Sequence, residues 1–177
     1  MNFIYWVCSL KQETKMNISP LSTLTKTMIA TAFTLGVAST ATMAMASEDA
    51  AAAPQFTAQQ STKRVVNKGF SAYTKGDFSK SAAYSRYALQ QGLKKSHKTI
   101  VYNNLCAALG TQGRYEEAIE ACNTALELAP SNWQAYSNRA AANWLAGDKL
   151  QARQDIKSAK AIDGQAPEIT YNVNVFG

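Results

Sequence analysis

The stretch TIVYNNLCAALGTQGRYEEAIEACNTALELAPSN, residues 99–132, decides the fold. Its first half sets Val101, Tyr102, Leu105, Ala108 and Leu109 at helical spacing, and its second half does the same with Ala118, Ile119, Cys122, Ala125, Leu126 and Leu128. Gly113 separates the halves as a turn, and Pro130, which cannot continue a helix, closes the second. The spacing predicts two helices, 99–112 and 115–129, folded back on each other.

The neighbouring segments repeat that layout. Gly147 follows Gly113 by 34 residues and Gly76 precedes it by 37, so residues 62–98, 99–132 and 133–166 form three units. The third unit predicts helices 133–146 and 149–162 around Gly147-Asp148, with Ala152, Ile156, Ala159 and Ile162 inside and Gly164 where Pro130 stood. In the first, a helical pattern begins near Ala58 and carries Val65, Gly69 and Ala72 to Lys75-Gly76-Asp77. A partner helix over 78–91 then turns Ala82, Ser85, Ala88 and Leu89 inward, and 93–98 reads as a linker. Self-similarity at a fixed period of this size signals stacked helical hairpins, because one hairpin cannot bury its own apolar face and about three are needed.

These residues resemble the tetratricopeptide-repeat (TPR) family, over residues 62–166. The second unit matches its pattern with Tyr102, Leu105, Cys106, Gly113, Tyr115, Ala118, Ala125 and Pro130. The third keeps Tyr136, Ala140, Gly147, Ala152 and Ala159 but has Arg139, Lys149 and Gly164 for the leucine, the aromatic and the proline. The first keeps Gly69, Gly76, Phe78 and Ala88 and departs at Val65, Lys68 and Ser81. Divergence at the ends fits repeats that face water on one side. The implied fold is all-α, a right-handed superhelical stack of antiparallel helix hairpins, or TPR solenoid. Small residues where the helices cross let their axes approach to about 8–10 Å. Beyond it, Ile169, Tyr171, Val173 and Val175 alternate with polar residues, which predicts a short extended tail over 167–177 docked on the last hairpin.

The resemblance also implies that the first helix of each unit lines a concave face. Asn67, Asn104 and Asn138 occupy one place in the three units and form a candidate ladder. An asparagine amide both donates and accepts, so such a row suits the backbone of an extended peptide. The same residues could instead bond their own neighbouring turns. Phe70, Tyr73 and Trp144 lie beside the ladder with Asn103 and Ala107, as anchors in a groove or as core and cap contacts, and Lys63 and Lys68 would favour acidic flanks. Some relatives grip a C-terminal carboxylate with Lys and Asn of the first unit and Lys and Arg of the third. The matching positions here are Val66, Phe70, Gln134 and Asn138, and only Asn104 agrees, so chaperone-tail binding is not implied.

Ahead of the repeats the chain changes character. Residues 16–46 hold one cation, Lys26, then run uncharged from Thr27 to Ser47 around an apolar heart of eleven residues, 28–38. A bilayer span needs about 20 apolar residues, so this reads as a cleavable signal peptide, with Ala44-Met45-Ala46 placing cleavage after Ala46. An uncleaved anchor is the alternative. Residues 1–15 fit neither a signal nor a repeat and read as a mis-called upstream extension ahead of Met16, or as a long n-region. Residues 47–61, acidic and alanine-rich at first and broken by Pro54, read as a linker.

Charge and cysteines narrow the chemistry further. Residues 62–98 carry nine cations against Asp77 alone, whereas 99–132 carry Arg114 against Glu116, Glu117, Glu120 and Glu127. That asymmetry suits an anionic partner or simply a solvated face. Cys106 and Cys122 flank Gly113 at seven and nine residues, nearly opposite on antiparallel helices. An exported chain could bond them, or they could remain buried thiols. His97 is the only histidine, in a Lys-rich linker without any recognisable catalytic partner, and no zinc or phosphate-loop motif is present. The expectation is a non-enzymatic periplasmic adaptor of exported bacterial type, without cofactor or small-molecule substrate, holding a peptide or helix of another envelope protein. The rival is an anionic polymer, nucleic acid or envelope polysaccharide, on the basic first hairpin.

Overall fold

The computed structural model describes residues 52–177. The expected signal peptide (16–46) and the upstream residues 1–15 lie outside the described residues, as does the start of the linker. Seven helices follow in order: α1 (Arg64–Thr74), α2 (Phe78–Leu89), α3 (Lys95–Thr111), α4 (Tyr115–Leu128), α5 (Trp133–Ala146), α6 (Lys149–Ile162) and α7 (Pro167–Phe176). None of them is long and apolar enough to cross a membrane.

Local chemistry sets most of the boundaries. Asp77, Asn132 and Asp148 cap α2, α5 and α6 by accepting the N–H of Lys80, Ala135 and Gln151 at 3.0–3.1 Å. Each such cap stabilises by roughly 0.5–2 kcal/mol. At the hairpin turns Gly76 and Gly113 both adopt φ 77°, a left-handed conformation that costs other residues about 1–2 kcal/mol. The join between the first two hairpins is shorter than the expected linker. Gly92 breaks the chain, but nothing in Lys95-Ser96-His97-Lys98 opposes a helix, so α3 starts at Lys95 and His97 sits in its first turn.

Helices α1 and α2, α3 and α4, and α5 and α6 pair as antiparallel hairpins, each packed on the next. The first helices α1, α3, α5 and α7 also touch one another in sequence, whereas α2, α4 and α6 touch only first helices and α7. One layer is thus drawn together and the other splayed, which curves the stack and makes the α1/α3/α5/α7 side its inner face. Alanines make this approach possible: Ala108, Ala118, Ala125, Ala140, Ala152 and Ala159 are all fully buried between helices. Leu105, Leu109 and Leu126 fill the layers around them with Tyr102, Ile119 and Tyr136. Cys106 and Cys122 form a disulfide between α3 and α4, with Cα atoms 5.4 Å apart.

Arg139, the departure from the family's leucine, is put to use. Its guanidinium grips Asp155 of α6 through two hydrogen bonds of 2.6 and 2.8 Å and reaches Asn123 of α4 at 2.6 Å. Asn143 and Gln151 donate to the same carboxylate, so a buried charge is fully partnered.

The C-terminal tail corrects the sequence expectation. Residues 167–176 are a helix, not an extended strand: Pro167 sits in its first turn, Glu168 favours its N-terminus, and Ile169, Asn172 and Phe176 are buried at spacings of three and four. The alternation of apolar residues that suggested a strand also places Ile169 and Val173 one turn apart, and packing on α5 and α6 selects the helix. Phe176 stacks on Trp144 with ring centroids 4.7 Å apart. In register, α7 is the first helix of a fourth unit: Asn172 follows Asn138 by 34 residues, as Asn138 follows Asn104.

Candidate functional site

The inner face is occupied by the chain itself. The expectation of helix from about Ala58 is overturned, since residues 52–61 run extended and enter α1 only after Lys63. They cross the inner face from α7 back to α1, opposite to the order of the repeats. Nothing between Pro54 and Ser61 sets up an amphipathic helix, and the backbone finds its partners on asparagine side chains instead.

The contacts follow one rule. Asn172 Oδ1 accepts the N–H of Gln55 at 2.7 Å while its Nδ2 donates to the carbonyl of the same residue at 2.9 Å. Asn138 does the same for Thr57 at 2.7 and 2.9 Å, and Asn104 for Gln59 at 2.6 and 2.9 Å. Asn67 continues the row with one bond, accepting the Ser61 N–H at 3.4 Å. Each side-chain amide stands in for the peptide group of a neighbouring strand, and the row serves residues 55, 57, 59 and 61. Two strand residues advance about 6.6 Å, which fixes the spacing of successive rungs on the inner face.

A second row orients the first. Asn103 Oδ1 accepts from Asn138 Nδ2 at 3.0 Å, and Ser137 Oγ lies 3.1 Å from Asn172 Nδ2. Asn103 also donates to the Thr57 carbonyl at 3.3 Å. Asn103, Asn104, Asn138 and Asn172 are almost wholly buried, so their orientation is set by these bonds rather than by water. The corresponding position in α1 is Val66, which has no such bond to offer.

The other expected site residues divide. Tyr73 meets the segment: its hydroxyl donates to the Phe56 carbonyl at 2.7 Å and lies 3.2 Å from the Thr111 hydroxyl. Burial pushes the Tyr73 phenol above its usual range, and the Thr111 bond opposes this. Trp144 belongs chiefly to the cap, stacked on Phe176 under the Lys149 ammonium, although Ala52, Ala53 and Pro54 border the same hollow. Phe70 is half-buried on α1. Lys68 is exposed and lines a shallow depression with Ser61, Asn67 and Ser71, and Lys63 is exposed just before α1. Neither lysine is brought to the centre of the ladder.

Four contributors escaped the sequence reading. Asn172 was signalled by its 34-residue spacing from Asn138, but the segment around it read as a strand. Ser137 had no signal beyond its equivalence to Asn103. Phe56 and Gly110 form a contact that no periodicity announces: a Cβ on Gly110 would stand 2.1 Å from Cε1 of the Phe56 ring.

The Tetratricopeptide repeat family model matches residues 100–132. No curated protein is similar enough in sequence to match the chain. Among solved structures, the Arabidopsis OM64 TPR domain resembles it with a TM-score of 0.56 at 20% identity, over 63% of this chain and 90% of that one. Cns1, an Hsp90 co-chaperone from Saccharomyces cerevisiae, gives 0.58 at 22% identity over 63% of this chain and 36% of its own. The second TPR domain of human RPAP3, solved in complex with the HSP70 peptide SGPTIEEVD, gives 0.55 at 18% identity over 63% of this chain and 91% of its own. The middle hairpin of this chain matches the family model and its hairpins stack as those of the solved TPR domains do, so the chain has the fold of a tetratricopeptide-repeat solenoid.

Proposed function

We propose that this chain is a non-enzymatic adaptor whose inner face holds an extended stretch of another protein. The observation that carries the reading is the bidentate pairing of Asn104, Asn138 and Asn172 with the backbone of every second residue of a strand. Such a row is a ready receptor for a peptide main chain, analogous to adding a strand to a sheet edge. A neighbour of the same fold is solved with a bound HSP70 peptide, which supports a peptide partner in kind. That peptide is acidic, whereas residues 54–61, the stretch seated here, carry no charge.

The partner is an envelope protein and the setting the bacterial periplasm. Supporting this are the signal-like residues 16–46 and the Cys106–Cys122 bond, which persists in oxidising compartments. A photo-crosslinking residue placed at Phe70, used in intact cells, captures the partner. Periplasmic release by osmotic shock tests the location. Capture that is unchanged by Asn104→Ala plus Asn138→Ala would sink the groove reading. The basic first hairpin supplies the competing reading of a polyanion ligand, and salt separates the two: affinity for a polyanion falls steeply with ionic strength, whereas affinity through neutral amides hardly moves.

A further inference from the structure

Residues 54–61 fill the inner face as a ligand would, and their side chains show what the face selects. Phe56 is the feature of that segment with a place made for it. Its ring lies against Gly110 so closely that a Cβ there would come within 2.1, 2.4 and 2.7 Å of three ring carbons. Gly110 is buried inside α3, where glycine weakens a helix relative to alanine, so stability is given up at one point and an aromatic ring takes the space. The Tyr73 hydroxyl holds the Phe56 carbonyl at 2.7 Å, and the ring packs beside the main core cluster.

The segment is also an imperfect occupant. Gln59 Oε1 is buried with no hydrogen-bond partner among the described residues, and at Asn67 the pairing has thinned to one long bond. A different side chain at the place of Gln59 would avoid the first of these defects.

We infer that the groove selects an extended, uncharged peptide with an aromatic residue that lodges against Gly110, and that residues 54–61 hold this place in cis until such a peptide displaces them. The inference rests on the reading of the inner face as a peptide site. The cis segment joins α1 through Thr62 and Lys63 alone, so its effective concentration is high and an outside peptide meets strong competition.

The test uses the purified chain and a fluorescent peptide copying residues 53–62, with binding read by anisotropy. Thr57→Pro plus Gln59→Pro removes the two N–H groups that Asn138 and Asn104 accept, and so loosens the cis segment. The loosened chain binds the peptide about tenfold or more tighter than the unsubstituted chain. Replacing the peptide's phenylalanine by alanine, or introducing Gly110→Ala into the loosened chain, weakens binding about tenfold. Equal binding of the phenylalanine and alanine peptides overturns the aromatic selection while leaving a peptide groove in place. Equal binding by loosened and unsubstituted chains overturns the cis occupancy. If neither peptide binds the loosened chain, and circular dichroism shows it folded, the groove reading falls as well. Should the double-proline chain not fold, Phe56→Ala loosens the segment instead, and the same outcomes decide.

Discussion

The two ends of the inner face hold the same segment very differently. At the C-terminal end Asn172 is buried, braced by Ser137, and grips Gln55 with two bonds of 2.7 and 2.9 Å. At the N-terminal end Asn67 is half-exposed and makes one bond of 3.4 Å to Ser61, with Val66 where its neighbours carry a supporting polar residue. The asparagine is the same; the shell around it is not. A hydrogen bond contributes about 0.5–1.5 kcal/mol net, but leaving a buried amide unpaired costs about 1–3 kcal/mol, so the grip is strict only where the rung is buried.

The strongest way to break the contrast is to remove the packing behind the tight end. Phe176→Ala leaves a cavity under Trp144 and loosens α7, costing about 3–5 kcal/mol in chemical denaturation. The Gln55 amide then exchanges with solvent as fast as that of Ser61, erasing the difference expected for the unsubstituted chain. Cys106→Ala with Cys122→Ala removes a crosslink at the middle of the stack, between the two ends. Its closed loop of about 15 residues predicts a loss of about 3 kcal/mol in global stability. The difference in exchange between Gln55 and Ser61 survives that loss, which separates overall stability from local grip.

Asn138→Ala strikes the central rung and strips partners from Thr57 and Asn103 together. A loss of roughly 2–3 kcal/mol is expected by denaturation, with the Thr57 amide deprotected before the helices melt. Asn67→Ala sharpens the comparison from the other side: about 0.5 kcal/mol or less, with only Ser61 affected. A cost at Asn67 equal to that at Asn138 would show that burial does not grade the ladder.

Much of this was legible in the chain. Helix pairing, turn glycines and the alanine seams follow from local spacing, because each hairpin is a local structure whose contacts lie close in sequence. The row Asn67, Asn104, Asn138 was legible for the same reason, since equivalent positions in a stack share a face. The segment 54–61 was not. Its paired rungs at Gln55, Thr57 and Gln59 are held by partners 45 to 117 residues away, and its own composition reads as nothing more than a linker. The tail failed because Ile169, Tyr171, Val173 and Val175 satisfy a two-residue period, while the helix is chosen by what Ile169 and Phe176 find on α5 and α6. The cation-rich run around His97 reads as a linker, but with no helix breaker between Lys95 and Lys98 the helix begins ahead of it.

Gln55 and Asn172 stand 117 positions apart, so the strand is synthesised long before the helix that clasps it. Until α7 is made that clasp does not exist, so a nascent chain whose three hairpins are complete holds the strand at Thr57 and Gln59 but not yet at Gln55. The seat of Gln55 is therefore the one that closes after the others.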